Sequence, residues 1–261
     1  MARATYQCTA LVGTSKAGVI KADAAGYYTV VLGALDFYNS AGAFYAYEPA
    51  KVLFDTSSCL QRRVANGALR GEYGHPKFVP GMTNRDFLMR IMDIDEKSTC
   101  VHIKEVWIDS DSVRNKDGSN VIAIMGRVKP SGPYGDKLAA QFENPDENVC
   151  FSIRSLTEDI VNEQGITVKT LREIVTWDYV NEPGISVANK YSIPTMEQLF
   201  ARGFDTENLV AARDYMMRSG TGLESAALSN INNAIEAYAK PKFEAHKSGL
   251  IVPAKPTWLQ W

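Results

Sequence analysis

Two strand-like runs joined by a short polar turn constrain the fold of this chain more than any other feature of its sequence. Residues 100–108 and 121–128 are rich in β-branched side chains, and the turn sequence Asn115-Lys116-Asp117-Gly118 lies between them. An Asp-Gly step flanked by such runs is typical of a β-hairpin. We therefore expect an antiparallel hairpin within a β-rich domain.

Further strand-like and helical segments define the fold class. Strands are predicted at residues 19–21, 27–32, 43–47, 148–154 and 166–180. Helical turns are predicted at residues 83–92, 136–142 (capped by Asp136), 196–217 and 223–245, and residues 56–66 form a helical or extended link. The sequence thus predicts an α+β fold: a small barrel or curved antiparallel sheet with short flanking helices over residues 1–192, and a mainly helical segment over residues 193–261.

Composition argues against several classes of function. The chain has 28 Lys and Arg against 30 Asp and Glu, a net charge of −2, so no basic field favours a nucleic acid or an anionic membrane as partner. No stretch approaches the roughly 18 uninterrupted apolar residues of a transmembrane helix. The four cysteines form no Cys-x-x-Cys pair, and the three histidines are too scattered for a familiar zinc site. We expect protein partners, a reducing cytoplasm, no metal and no cofactor.

A serine and a histidine in separate segments form the candidate catalytic pair. In residues 148–154, period-two alternation places Cys150, Ser152 and Arg154 on one face and apolar side chains on the other. His75 lies where strand-like sequence gives way to a proline-led loop. Serine becomes a good nucleophile only when a neighbouring base takes its proton. The pair is therefore a catalytic hypothesis only if the fold unites the two segments.

Each of these residues also has a purely structural interpretation. Ser152 and Arg154 would suit a solvated sheet surface, and Cys150 is more simply a small buried side chain. His75 could be an ordinary loop histidine, although its glycine neighbours allow close backbone approach. The serine is not in a Gly-x-Ser-x-Gly elbow, which argues against an α/β-hydrolase.

Four motifs occur in the order seen in one family of viral proteases. They are Leu69-Arg70-Gly71-Glu72-Tyr73-Gly74-His75-Pro76, Gly132-Pro133-Tyr134-Gly135-Asp136-Lys137-Leu138-Ala139-Ala140, Phe151-Ser152-Ile153-Arg154 and Trp177-Asp178-Tyr179-Val180-Asn181-Glu182-Pro183. In these motifs the chain resembles the prohead (procapsid) core proteases of tailed bacteriophages, of the T4 type, which are distantly related to herpesvirus assemblins. The resemblance covers about residues 65–190.

This resemblance implies a serine endopeptidase. Residues 1–192 would be the protease domain and residues 193–261 a propeptide or targeting region. The implied substrates are phage scaffold or core proteins, the major capsid protein and the protease itself, cut after a glutamate with an apolar or small residue two positions earlier. The enzyme would self-associate and act inside the assembling prohead, in the host bacterial cytoplasm. Self-cleavage is then expected after Glu224 or Glu236.

The resemblance also implies roles for individual residues, with Ser152 as the nucleophile and His75 as its base. Asp178 lies in the Asp-x-Val-x-x-Pro segment that resembles the phage family, and we favour it as the residue that orients His75. Assemblins use a second histidine that follows the serine, but the only histidine after Ser152 here is His246, in the helical region. His102, in the middle of a predicted strand, is the rival third member, and an ordinary sheet histidine is its structural alternative. Glu72 is nearer to His75 in sequence, but strand alternation does not aim it there.

Arg154 fits the Ser-x-Arg pattern of the family, which implies support for the oxyanion through its backbone N–H or its guanidinium. A structural salt bridge is the alternative. The glycine-containing loop of residues 130–135 could line a substrate cleft and supply further backbone donors.

Two other functions stay open from the sequence. One is a non-enzymatic phage capsid or tail structural protein on a related barrel. The other is a different serine hydrolase, such as an esterase, which would hydrolyse small esters and spare the structural proteins of its phage.

Overall fold

The fold is described by a computed structural model that covers residues 3–12, 21–115, 119–181, 202–218 and 226–239. The strands in these ranges are β1 (Arg3–Val12), β2 (Tyr28–Leu35), β3 (Phe37–Tyr38), β4 (Phe44–Tyr45), β5 (Arg70–Glu72), β6 (Thr99–Asp109), β7 (Ile122–Pro130), β8 (Cys150–Val161), β9 (Thr167–Val180) and β10 (Arg202–Asp205). The helices are α1 (Tyr47–Thr56), α2 (Ser58–Ala65), α3 (Asn84–Met92), α4 (Gly135–Glu143), α5 (Thr206–Arg218) and α6 (Ala226–Ala239), with a 3-10 turn at Glu96–Ser98.

The strands form two sheets. Sheet I has the order β10-β1-β8-β9-β4-β3, and sheet II has the order β2-β7-β6-β5. All pairs are antiparallel except β4 with β9. The α+β class and the hairpin, which is β6 with β7, are confirmed. The described strands close no barrel; they form two sheets instead of the single curved antiparallel sheet, and sheet I is mixed.

The short helices begin where local chemistry favours them. Thr83 caps α3 in a capping box with Asp86, and the helical turns predicted over residues 83–92 are found. The predicted cap at Asp136 is wrong: α4 begins one residue earlier, and Asp136 lies inside its first turn, where a negative charge still suits the helix dipole. The link over residues 56–66 is mainly helical and contains α2.

Sheet I is covered on both faces, which decides the environment of β8. Phe151 and Ile153 pack with Trp177 of β9 against side chains of sheet II. On the other face, Leu156 belongs to a second apolar cluster with residues of α3, α5 and α6. The predicted alternation is therefore confirmed, but the polar face of β8 is buried under helices rather than solvated.

The C-terminal elements pack onto the rest of the chain. Strand β10 extends sheet I by pairing with β1, and α5 and α6 pack with α3. The predicted boundary between residues 192 and 193 lies outside the described residues and stays a prediction. None of the described helices is long and apolar enough to cross a membrane.

Candidate functional site

The β8–β9 ladder places Ser152 directly opposite Asp178. Directly opposite residues of an antiparallel pair project from the same face of the sheet, with Cβ atoms about 5 Å apart. Both residues are buried, Ser152 at 1% exposure and Asp178 at 0%. The two strands therefore bring the predicted nucleophile and the predicted third member to one buried face.

Strand β5 runs close to β9 and carries the histidine loop to the same place. A Cβ atom at Gly71 would overlap the carbonyl oxygen of Trp177, so glycine is required for this approach. Tyr73 forms a parallel bridge with Tyr179, and the N–H of Gly74 donates to the carbonyl of Tyr179 at 2.8 Å. Gly74 has φ of +94°, a conformation that favours glycine. The chain is thus pinned to β9 immediately before the histidine.

His75 reaches Asp178 through this loop. Its Nδ1 lies 2.9 Å from Asp178 Oδ2. Asp178 Oδ2 also accepts a hydrogen bond from Arg154 Nε at 2.8 Å, while Oδ1 accepts from Arg154 Nη2 at 2.7 Å and from the backbone N–H of Glu72 at 2.9 Å. The carboxylate therefore has four hydrogen-bond partners, one for each of its lone-pair positions.

The charge state of Asp178 fixes the tautomer of His75. Burial alone would raise the pKa of Asp178, but the charge of Arg154 and the hydrogen bond from His75 outweigh it and lower that pKa to about 2. Asp178 is then ionised at neutral pH and can only accept hydrogen bonds. The hydrogen of a neutral His75 must lie on Nδ1, which leaves Nε2 as the basic nitrogen.

Ser152 Oγ is buried and has no hydrogen-bond partner among the described residues. The Ser–His hydrogen bond is therefore not formed in this conformation, and such bonds are often long before substrate binds. A buried polar group without a partner costs about 1–3 kcal/mol. A hydroxyl in this state does not stabilise the fold, which is consistent with a role in chemistry.

The guanidinium of Arg154 is fully engaged in holding this site together. Besides Asp178, its Nη1 donates to the carbonyls of Asp93 at 2.7 Å and Ile91 at 3.4 Å, and its Nη2 lies 3.0 Å from Glu72 Oε1. These acceptors match the five N–H groups of an arginine. The geometry therefore corresponds to the salt-bridge alternative and leaves no guanidinium donor for an oxyanion.

The side chains of the other candidates contact neither His75 nor Asp178 in the described interactions. His102 is in β6 of sheet II, where its Nδ1 is 2.9 Å from the hydroxyl of Tyr27. Cys150 Sγ lies 3.7 Å from the carbonyl oxygen of Asn181. Glu72 turns its carboxylate to arginines rather than to His75.

Sequence reasoning missed Arg90, which pairs with Glu72 from the last turn of α3. The two residues are far apart in sequence and belong to different elements, so no local pattern signals their contact. The other site residues had such a signal: motif order for His75 and Asp178, and strand alternation for Ser152 and Arg154.

Two cavities near these elements do not open on the site. One of about 540 Å³ lies between α3 and α5, and a groove of about 1100 Å³ runs between α2, the loop after α3, and α6. Neither is lined by Ser152, His75 or Asp178. In the described part of the chain, no cluster of three or more His, Cys, Asp or Glu side chains could hold a metal ion.

The site combines a histidine that is hydrogen-bonded to a buried carboxylate with a serine opposite that carboxylate in the neighbouring strand, which are the residue types of a Ser-His-Asp triad. The sequence profile of the Peptidase S80 family matches residues 6–239, and the chain belongs to this family. The chain is 39% identical over 232 residues to the capsid maturation protease of Pseudomonas phage phiKZ, which covers 85% of this chain and 83% of that protein. The resemblance to phage maturation proteases is thereby confirmed.

Among solved structures, the fold is similar to that of the bacteriophage T4 capsid assembly protease gp21. The TM-score is 0.45 at 13% sequence identity, and the match covers 71% of this chain and 97% of that one.

Proposed function

We propose that this chain is a serine endopeptidase that matures the prohead of its own phage. Its substrates would be the scaffold or core proteins, the major capsid protein and the protease itself. Membership of a peptidase family and the similarity to the phiKZ capsid maturation protease support the reaction and the setting. The observation that carries the serine mechanism is the hydrogen bond between Asp178 and His75, opposite Ser152 on the same sheet face.

The proposed mechanism follows from the tautomer of His75. Nε2 takes the proton of Ser152 Oγ as the oxygen attacks the scissile carbonyl carbon. The imidazolium then gives that proton to the leaving amine, and an acyl-enzyme remains. A water molecule, deprotonated by Nε2, attacks the acyl carbon, and the imidazolium returns that proton to Ser152 Oγ as the ester bond breaks and the carboxylic acid product leaves. Asp178 stays ionised throughout, which keeps Nδ1 protonated and stabilises the imidazolium.

The loop of residues 130–135 is a candidate wall of the substrate cleft and a candidate source of oxyanion donors. Tyr134 stacks on Tyr73 with ring centroids 5.3 Å apart, and Tyr73 is two residues before the histidine. The loop therefore lies beside the segment that carries the base.

The enzyme would act inside the assembling prohead, in the bacterial cytoplasm, as a self-associating protein without a nucleic-acid or membrane partner. Self-cleavage after Glu224 or Glu236 would release the C-terminal segment. Glu224 is outside the described residues, whereas Glu236 is exposed in α6. That helix must unwind locally before an extended-binding site could take the bond after Glu236.

Co-expression with the capsid and scaffold gene products of the same phage tests this function. Intact mass analysis should show truncated products with the wild type and none with Ser152→Ala. The control is Ser155→Ala: Ser155 is also buried in β8, and its Oγ also has no partner among the described residues. Because three positions along a strand reverse the face, Ser155→Ala should cut like the wild type.

The outcomes separate the alternatives. Equal cleavage by Ser152→Ala would refute the serine mechanism. No cleavage by any form would favour a non-enzymatic structural protein, and hydrolysis of p-nitrophenyl acetate without cleavage of phage proteins would favour an esterase.

A further inference from the structure

Glu72 connects helix α3 to the proposed proteolytic site. This last residue of β5 has a side-chain exposure of 2%. Its Oε1 lies 3.0 Å from Arg154 Nη2, and Oε1 also accepts hydrogen bonds from Arg90 Nη1 at 2.9 Å and from the N–H of Asp95 at 2.8 Å. The backbone N–H of the same residue donates to Asp178. Glu72 therefore contacts Asp178 through its backbone N–H and Arg154 through its carboxylate.

Arg90 anchors this carboxylate from the solvent side. Its Nη2 donates to Glu72 Oε2, and its Nη1 also donates to the carbonyl of Asp93 at 3.3 Å. The same carbonyl accepts from Arg154. Burial would lower the pKa of Arg90, but the hydrogen bond and charge of Glu72 raise it overall. Both arginines thus contact the same carboxylate and the same carbonyl at the end of α3.

Glu72 is the carboxylate that both arginines contact. Arg90 pairs with Glu72, and Arg154 pairs with Glu72 and with Asp178. If Glu72 were neutral, Arg90 would lose its ionic partner, and Arg154 would lose one of the two carboxylates that it contacts. A buried charge that loses a partner moves or destabilises its surroundings. Any movement of Arg154 is passed to Asp178, because two of the four hydrogen bonds to that carboxylate come from it.

We propose that Glu72, anchored by Arg90, is a positioning residue of the proteolytic site. It fixes the guanidinium of Arg154, which in turn holds the carboxylate of Asp178 in the orientation that meets His75 Nδ1. This inference rests on the proposed serine mechanism. Glu72 does not touch the reacting atoms: its carboxylate binds Arg154, Arg90 and a backbone N–H.

Steady-state kinetics on purified variants test the proposal, with the purified precursor of the phage's major capsid protein as substrate. Glu72→Gln keeps the shape and removes the charge, and kcat should fall about 10- to 100-fold while KM changes less than twofold, as expected for misplaced catalytic groups. Because Arg90 is 27% exposed, Arg90→Gln is the variant more certain to fold, and it should give a loss of the same kind. Arg90→Lys keeps the charge and should restore most of the activity.

A double variant distinguishes a shared pathway from two separate effects. If Arg90 acts through Glu72, the variant with both substitutions should be no slower than Glu72→Gln alone, since coupled residues are not additive. Independent losses that multiply would overturn the link between the two residues.

The matched control is Glu158→Gln. Glu158 has a side-chain exposure of 7% and pairs with Arg172 at the far end of the same two strands. It should lose stability, measured as the urea midpoint, without a loss of kcat. The proposal is refuted if Glu72→Gln keeps the wild-type kcat, or if Glu158→Gln loses as much kcat at an equal loss of stability. Failure of the serine mechanism itself would be seen separately, as cleavage by Ser152→Ala.

Discussion

The two ends of the β8–β9 hairpin both carry buried charges, but they arrange them differently. At the far end each carboxylate pairs with one cation directly across the ladder or near it. Asp159 Oδ2 lies 2.6 Å from Lys169 Nζ, and Glu158 Oε2 accepts from Arg172 Nε at 3.1 Å. Asp159 keeps 24% of its side chain exposed, so solvent still reaches this pair.

At the site end the charges form a closed network. Asp178 and Arg154 are both at 0% side-chain exposure, and Glu72 and the carbonyls at the end of α3 complete the hydrogen bonds of the guanidinium. One lone pair of Asp178 remains for His75.

This difference between the two ends indicates that the ion pairs at the far end stabilise the fold, whereas the network around Asp178 orients the side chain of His75. Burying an ion pair often gains no stability over apolar residues of the same volume, because both ions lose their hydration. A network as closed as that around Asp178 is therefore poorly explained by stability alone. What this network does is fix the tautomer and the orientation of His75.

The largest loss of activity is expected on substitution of Ser152 or His75. Ser152→Ala and His75→Ala should each reduce cleavage of the capsid precursor to background, since the proposed mechanism makes the two residues one nucleophile-base unit. The double variant should lose hardly more than either single variant, as losses within such a unit are not additive. Rates from stopped-time digests, followed by mass spectrometry, measure this. A double loss equal to the product of the single losses would show that the residues act separately.

The next effect compares one chemical change at both ends of the hairpin. Asp178→Asn should lower kcat by about 10⁴-fold, because an amide no longer imposes the Nδ1–H tautomer. It also leaves Arg154 short of a carboxylate and should cost about 3–5 kcal/mol of stability. Asp159→Asn leaves the buried cation Lys169 without its partner, so it should also lose stability, yet keep kcat within twofold. Equal kcat losses in the two variants, at a temperature where both are folded, would show that the two ends of the hairpin do not differ in their effect on catalysis.

Much of this site could be predicted because its signals are local. The alternation of residues 148–154 follows from the pleat of a strand. The Asp-Gly step between two runs of β-branched residues in the sequence predicts the β6–β7 hairpin. The pairing of Ser152 with Asp178 depends on the register of two strands, and that register shifts between Arg154 and Ser155 and again between Leu156 and Thr157.

The rest depends on contacts between distant elements. Arg90 meets Glu72 only because α3 packs over sheet I, and whether sheets close into a barrel depends on edges that no single segment determines. The burial of Ser152 also depends on contacts between elements that are distant in sequence. Alternation correctly separated the two faces of β8, but it does not tell what covers the polar face.

Acid titration gives a smaller effect at the same carboxylate. The pKa of Asp178 is lowered from 3.8 to about 2, so its contribution to stability is present above pH 4 and is lost as the pH falls towards 2. The shift corresponds to about 2 kcal/mol. Urea unfolding of the wild type and of Asp178→Asn should show a stability gap that shrinks by about that amount between pH 4 and pH 2. A constant gap would mean that the carboxylate is not ionised preferentially in the folded protein.

The smallest effect is expected for the rival histidine, which belongs to neither end of the hairpin. His102 lies in sheet II, bonded to the hydroxyl of Tyr27, and burial together with the charge of Arg70 lowers its pKa. Its place in sheet II, bonded to Tyr27 and not to Asp178, favours a role in packing. His102→Gln can keep one hydrogen bond to Tyr27, so it should cost at most about 1 kcal/mol of stability and change kcat less than twofold. Tyr27→Phe removes the same bond from the other side and should match it. A loss of kcat of a hundredfold or more in folded His102→Gln, with Tyr27→Phe unaffected, would reassign the third position to His102 and leave the network around Asp178 a structural one.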